Sequence, residues 1–188
     1  PWKGILGGDG MEVQIDNRNP NIVFTGYQFG FYSRLDLGSG KRKSIKPSHE
    51  LGQSPFRFNW QTPILLSPHN QDVLYLGSNF LHKSINQGDD WENISEDLTN
   101  GGKKGNVPYG TITTISESPI KEGVLYVGSD DGMIHVTKNG GKTWNNISGN
   151  LPQDLWVSNV YASNHNEKVV YLSLDGYRWD NFSPYLFQ

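Results

Sequence analysis

Two segments of this chain carry one pattern: Ser84-Ile85-Asn86-Gln87-Gly88-Asp89-Asp90-Trp91 and Thr137-Lys138-Asn139-Gly140-Gly141-Lys142-Thr143-Trp144. Each is followed by the same sequel, Asn93-Ile94-Ser95 and Asn146-Ile147-Ser148, at a constant offset of 53 residues. A repeat of this length is a duplicated supersecondary unit, and such units fold by stacking on their own copies. The rest of the chain has to be read in that register.

The register extends to a strand in four versions: Ile22-Val23-Phe24-Thr25-Gly26, Val73-Leu74-Tyr75-Leu76-Gly77, Val124-Leu125-Tyr126-Val127-Gly128 and Val169-Val170-Tyr171-Leu172-Ser173. Their β-branched and aromatic content, bounded by turn formers, marks strands, and the near-continuous apolar run predicts cover on both faces. A preceding strand is predicted over Glu12 to Ile15, Ile64 to Ser67, Ile112 to Ser116 and Val157 to Ala162, joined by Asn- and Pro-rich turns such as Asn19-Pro20-Asn21 and Pro68-His69-Asn70. A third follows at Leu81 to Ser84 and Ile134 to Thr137, and a fourth begins at Trp91 and Trp144. Four antiparallel strands in a unit of about 50 residues are a propeller blade. The fold expected is therefore all-β, a β-propeller or propeller segment of about four four-stranded blades.

The repeated octapeptide falls on the hairpin between third and fourth strands. Gly88 and Gly141 supply the positive φ of the turn, Asn86 and Asn139 bond its amides, and Trp91 and Trp144 point between blades. Ser84 and Thr137 open each copy. The pattern resembles the BNR, or Asp-box, repeat, Ser/Thr-x-Asp-x-Gly-x-Thr-Trp, with Asn at the Asp position in both copies and Asp90 in place of Thr in the first. The nearest resemblance is to the propellers of sortilin-like proteins and of xyloglucanase-like bacterial glycoside hydrolases. That resemblance implies an exported protein, periplasmic or secreted.

Blades are expected over 9–45, 56–98 and 109–151, with an incomplete fourth over 156–188. Trp2 to Ile5 parallels Trp144 to Ile147, so 1–8 is expected to form an orphan outer strand. Pro184 to Gln188 reads as a third strand without its hairpin. Two arrangements satisfy this: a section of a longer propeller, or a small ring in which 1–8 completes the blade ending at Gln188. Exposed blade edges in the first case favour self-association.

Composition narrows the functions. A net charge of −3 gives no electrostatic footprint for nucleic acid, and the basic cluster Lys41-Arg42-Lys43 sits among Gly and Ser as a solvated loop. There is no Cys for disulfides or thiolate metal sites, and no apolar run near the roughly 20 residues that span a bilayer. No cofactor motif is present. Asp89 and Asp90 could suggest a cation loop, but Lys138 and Lys142 in the equivalent turn point to a structural hairpin with no metal. His82 and His135 recur at one blade position and are expected to be strand residues. The sequons at Asn93, Asn146 and Asn181 follow mainly from the repeat.

In such a propeller, loops before the first strand and after the second meet on one face around the axis. They bring Asp9, Asn59, Trp60, Tyr109 and Trp156, together with Gln28, Phe29, Asn79, Phe80, Asp130, Asp131, Tyr177, Arg178, Trp179 and Asp180. Aromatic faces stack on sugar CH groups and carboxylates bond hydroxyls; the same residues anchor protein partners. Trp60, Tyr109, Trp156, Phe29, Phe80, Tyr177, Arg178 and Trp179 are thus candidates for binding carbohydrate or a protein, although Trp60 and Trp156 could instead pack between blades. The alternative is a glycoside hydrolase whose carboxyl pair includes Asp9, Asp130 or Asp131, but no spacing selects a pair. Only five arginines are present and none lies in a sialidase motif.

Overall fold

A computed structural model describes residues 4–188. The described residues run as fifteen strands: β1 (Val13–Ile15), β2 (Ile22–Tyr27), β3 (Phe31–Asp36), β4 (Lys41–Ser44), β5 (Ile64–Leu66), β6 (Leu74–Gly77), β7 (Leu81–Ser84), β8 (Glu92–Asn93), β9 (Ile112–Glu117), β10 (Leu125–Ser129), β11 (Ile134–Thr137), β12 (Asn145–Asn146), β13 (Trp156–Ala162), β14 (Val170–Gly176) and β15 (Asn181–Phe187). A 3-10 turn, Tyr177–Trp179, separates the last two. They form sheets β1-β2-β3-β4, β5-β6-β7-β8, β9-β10-β11-β12 and β13-β14-β15, each an antiparallel meander. These are propeller blades in sequence order, three with four strands and the last with three.

The core lies between blades. Phe24, Tyr32 and Ile45 of the first blade meet Phe58, Ile64, Leu66, Leu74 and Leu76 of the second. Tyr75, Leu81 and Leu98 meet Ile112, Leu125 and Val127. Tyr126, Ile134 and Val136 meet Val157, Val160, Leu172 and Leu174. β6 and β10 are apolar on both faces because each is sandwiched in this way. The fourth copy differs: Tyr171 is exposed, as is its cross-strand partner Tyr161, because no blade lies beyond them among the described residues.

Side chains also stitch the inner strands of neighbouring blades. Ile64 N–H donates to Glu12 Oε2 at 3.3 Å, Thr113 Oγ1 donates to the Val157 carbonyl at 2.6 Å, and Ala162 N–H donates to Ser116 Oγ at 3.0 Å. Each such bond satisfies a backbone group that the splay between blades leaves without a ladder partner.

Several expectations are corrected. Lys41-Arg42-Lys43 is not a loop but most of β4, paired to Asp36, Leu35 and Arg34 of β3. Its residues are exposed, and edge lysines and arginines suit a strand whose outer side faces water. The fourth strands of the second and third blades begin one residue after Trp91 and Trp144 and have only two residues, because the indoles leave the sheet to reach the preceding blade. β15 starts at Asn181, earlier than Pro184. Over its described part, 4–8, the outer strand expected at 1–8 is absent; Trp2 and Lys3 lie outside the described residues. Gly4–Gly7 instead line a shallow hollow beside Arg42 of β4. β15 pairs with β14 alone among the described residues, so no closure onto residues 4–8 is present.

Candidate functional site

The first strands and the loops entering them converge on one cavity of about 340 Å³. Glu12, just before β1, and Gln61, just before β5, border it with Thr113 and Thr114 of β9, and Trp156, Ser158 and Asn159 of β13. Asp175 at the end of β14, Tyr177 and Arg178 close the remaining side. All four blades thus contribute, as expected for a site near a propeller axis. Two larger hollows, about 1000 and 770 Å³, lie instead between outer strands and hairpins of adjacent blades. In the first, Asp89 is paired with Arg34 at 2.9 Å and Lys43 at 2.6 Å, so its charges already answer one another.

The cavity has an aromatic wall with a cation on it. The Arg178 guanidinium lies 4.2 Å from the centre of the Trp156 ring and 4.6 Å from that of Tyr177. Its Nη1 stands 3.8 Å from Asp175 Oδ1, too far for a hydrogen bond, and that buried carboxylate oxygen has no other partner. Glu12 has its pKa raised by burial, offset in part by the Ile64 amide. Two aromatic rings sharing one guanidinium, one poorly satisfied carboxylate, one carboxyl biased toward its neutral form and the amides of Gln61 and Asn159 can hold a polar ligand with a flat apolar face.

Of the candidates read from sequence, the fold brings Trp156, Tyr177 and Arg178 together here. Trp60 precedes Gln61 in the chain, is 47 % exposed, and meets Phe29 edge to face at 5.1 Å; the Phe29 amide donates to its carbonyl. Trp60 is therefore a half-exposed ring that also packs across to the first blade through Phe29. Tyr109 lies elsewhere, under Lys103 Nζ at 4.4 Å, and Phe80 packs on Phe56. Trp179 is exposed and does not line the cavity.

The three aspartates occupy different settings. Asp130 Oδ1 accepts from the amides of Gly110 and Thr111, and its Oδ2 from the Thr111 hydroxyl. Asp131 accepts from Ser129 Oγ and the Asn100 amide. Both are buried clamps on the loops around them, and burial raises the Asp130 pKa. Asp9 accepts from Gln28 Nε2 at 2.7 Å at the surface. None borders the axial cavity. Among the described residues no group of three His, Asp or Glu is placed to hold a metal.

Sequence reasoning missed Glu12, Gln61, Asn159 and Asp175. A signal for Asp175 existed. Four residues after the aromatic of each second strand come Gln28, Asn79, Asp130 and Asp175. Gln28 bonds Asp9, Asn79 accepts from the Arg57 amide, and Asp130 clamps Thr111. The fourth member is the one with an unanswered oxygen.

No protein-family profile matches the sequence, and no curated protein matches it. Solved structures do. An ancestral GH74 enzyme superposes with TM-score 0.60 at 17% identity, over 89% of this chain and 22% of that one. The GH74 xyloglucanase from Xanthomonas campestris gives 0.52 at 16%, over 93% and 35%. YCF48 bound to D1 peptide gives 0.56 at 14%, over 88% and 47%. With the blade topology, these define the chain as a β-propeller protein. It spans less than half the length of each of those chains.

Proposed function

We propose that this propeller binds carbohydrate through the axial cavity, as a non-catalytic module of an exported protein of the BNR/Asp-box repeat class. The stack of Arg178 on Trp156 and Tyr177 beside Glu12, Asn159 and Asp175 carries the proposal: rings offer a face for sugar CH groups, and the carboxyls and amides accept and donate to hydroxyls. Trp60 and Phe29 extend an aromatic surface next to Gln61. Two of the similar structures are GH74 enzymes, one a xyloglucanase, which supports a polysaccharide over other ligands.

The test is calorimetric titration with xyloglucan oligosaccharides. Binding in the micromolar to millimolar range, weakened at least about tenfold by Trp156→Ala (about 1.4 kcal/mol) and unchanged by Tyr109→Ala, is expected. No binding, or equal binding by both variants, overturns the reading.

A protein ligand is the second reading. It is favoured by Arg178, a preferred anchor at protein interfaces, and by the likeness to a propeller bound to a peptide. The hydrolase reading, with Asp9, Asp130 or Asp131 in a carboxyl pair, is weakened by the geometry of the latter two, whose four oxygens are all engaged by neighbouring amides and hydroxyls. Asp9 is left as its candidate.

A further inference from the structure

The chain holds two Asn-Gly-Gly triplets: Asn100-Gly101-Gly102 in the loop between β8 and β9, and Asn139-Gly140-Gly141 in the hairpin between β11 and β12. An asparagine before glycine is open to attack on its side-chain carbonyl by the next backbone nitrogen, because glycine puts no Cβ in the way. Local sequence treats the two triplets alike. So does the backbone: both asparagines are exposed, and Gly101 and Gly140 both have positive φ, 93° and 70°.

Bonding separates them. Asn139 Oδ1 accepts from the Thr137 hydroxyl at 3.0 Å and from the Thr143 amide at 3.0 Å, while Nδ2 donates to the Thr143 hydroxyl at 2.9 Å. The nitrogen that would attack, Gly140 N–H, donates to the Gly123 carbonyl at 2.9 Å. Reaction there has to wait for the hairpin to open. The Asn100 side chain makes no hydrogen bond among the described residues, and Gly101 N–H meets Thr99 Oγ1 alone, at 3.1 Å.

Asn100 also stands at the neck of its loop. Its amide donates to Asp131 Oδ2 at 2.7 Å, and across the neck the Gly110 amide donates to Asp130 Oδ1 at 3.0 Å. The two sides touch: a Cβ added at Gly110 would lie 2.5 Å from the Gly101 carbonyl oxygen. Neighbouring aspartates thus hold both ends, and the span between them, exposed over 102–108, carries Lys103 and Lys104.

We propose that Asn100 is a site of deamidation that releases this loop. The Gly101 nitrogen, its proton taken by hydroxide, bonds to Asn100 Cγ. The Cγ–Nδ2 bond breaks, and that nitrogen leaves as ammonia with a proton from water. Water then opens the cyclic imide at either carbonyl. Cleavage of the new N–Cγ bond leaves aspartate; cleavage between Gly101 N and the original main-chain carbonyl leaves isoaspartate, with the main chain lengthened by one carbon. Either product sets a carboxylate near Asp131, which holds the Asn100 amide, and isoaspartate also moves Gly101 away from Gly110.

The test ages the folded protein at mildly alkaline pH and maps its peptides by mass. Conversion at Asn100 is expected to run at least about tenfold faster than at Asn139, and the two rates to converge in urea, where both triplets are unfolded. Brief trypsin treatment is expected to cut aged protein after Lys103 or Lys104 at least about threefold faster than fresh protein. Asn100→Gln, whose longer side chain disfavours ring closure, is expected to show no such change with age. The proposal is overturned if Asn139 converts as fast as Asn100 in the folded protein, if neither converts, or if the ratio persists in urea. It is also overturned if ageing leaves cleavage unchanged, or if Asn100→Gln gains cleavage as the parent does.

Discussion

The Asn86 side-chain amide donates to the Asp90 carboxylate at 2.9 Å, while Asn86 Oδ1 accepts from the Asp90 amide at 2.9 Å. In the other hairpin, Asn139 Nδ2 donates to the Thr143 hydroxyl at 2.9 Å, and Asn139 Oδ1 accepts from the Thr143 amide at 3.0 Å. The Asp90-for-Thr143 exchange is thus matched to the amide facing it. Asn86→Asp sets two carboxylates against each other, so it is expected to lower the melting midpoint by about 2–3 °C at neutral pH, in keeping with an exposed pair worth under about 1 kcal/mol. Asn139→Asp keeps a donor in the Thr143 hydroxyl and is expected to be near neutral. Asn86→Asp with Asp90→Thr should recover the loss. Melting curves of the three variants check this; equal effects at both hairpins would count against the pairing.

The indoles fasten blades by a hydrogen bond as well as by burial. Trp144→Phe keeps a ring in place but leaves the Ile94 carbonyl without its 2.8 Å donor, an expected cost of about 1–2 kcal/mol. Trp144→Ala adds a cavity at a seat also lined by Leu98 and is expected to cost about 3–5 kcal/mol. Urea unfolding of both variants measures the difference. A Phe variant as stable as the parent would mean that the bond contributes nothing.

Much of this architecture is written in the sequence, because blade strands depend on local pattern. Phe24, Tyr75 and Tyr126 carry the periodicity of their strands, and each is buried where that predicts. Tyr171 has the same pattern and is exposed, since burial on the far face needs a neighbouring blade that pattern cannot supply. Lys41 to Lys43 lack β-strand composition and become a strand because β3 offers an edge for them. The axial cavity was legible only in part. Trp156, Tyr177 and Arg178 could be placed by loop order, but Glu12 just before β1 and Asn159 within β13 are polar residues whose meaning comes from three-dimensional convergence.

His82 is a buried neutral base. It is fully buried, with Nδ1 donating to Asn93 Oδ1 at 2.6 Å and Nε2 accepting from Ser78 Oγ at 2.7 Å, and the rings of Phe56 and Phe58 lie near it. Burial pushes its pKa down to about 4 from the ordinary 6.5, against the opposing bond to Asn93. A base with a depressed folded-state pKa contributes stability in full above the unfolded value. That contribution falls as pH drops below about 6.5 and is gone once pH passes below about 4. The expected loss across this window is about 3 kcal/mol. His82→Gln should be less stable than the parent at pH 7 yet lose less between pH 7 and pH 4. Parallel slopes for the two proteins, measured by urea titration, would place the sensitivity elsewhere.

Glu12 gives the opposite sign. Burial raises its pKa above the ordinary 4.5, so its charged form is the costly one and the penalty grows as pH rises through the folded-state value. Gln at this position keeps an oxygen to accept from the Ile64 amide, now 3.3 Å from Glu12 Oε2, and removes the buried charge. Glu12→Gln is therefore expected to raise the melting midpoint at pH 8 and to leave it unchanged at pH 4. The same substitution touches the cavity that we propose binds sugar, where the carboxyl is one of the acceptors for ligand hydroxyls. It should weaken oligosaccharide binding while the fold grows more stable, a separation that a merely structural carboxyl would not produce. Melts at the two pH values and titration of the same sample decide it: lower stability at pH 8 would show the charged form to be favoured in the fold.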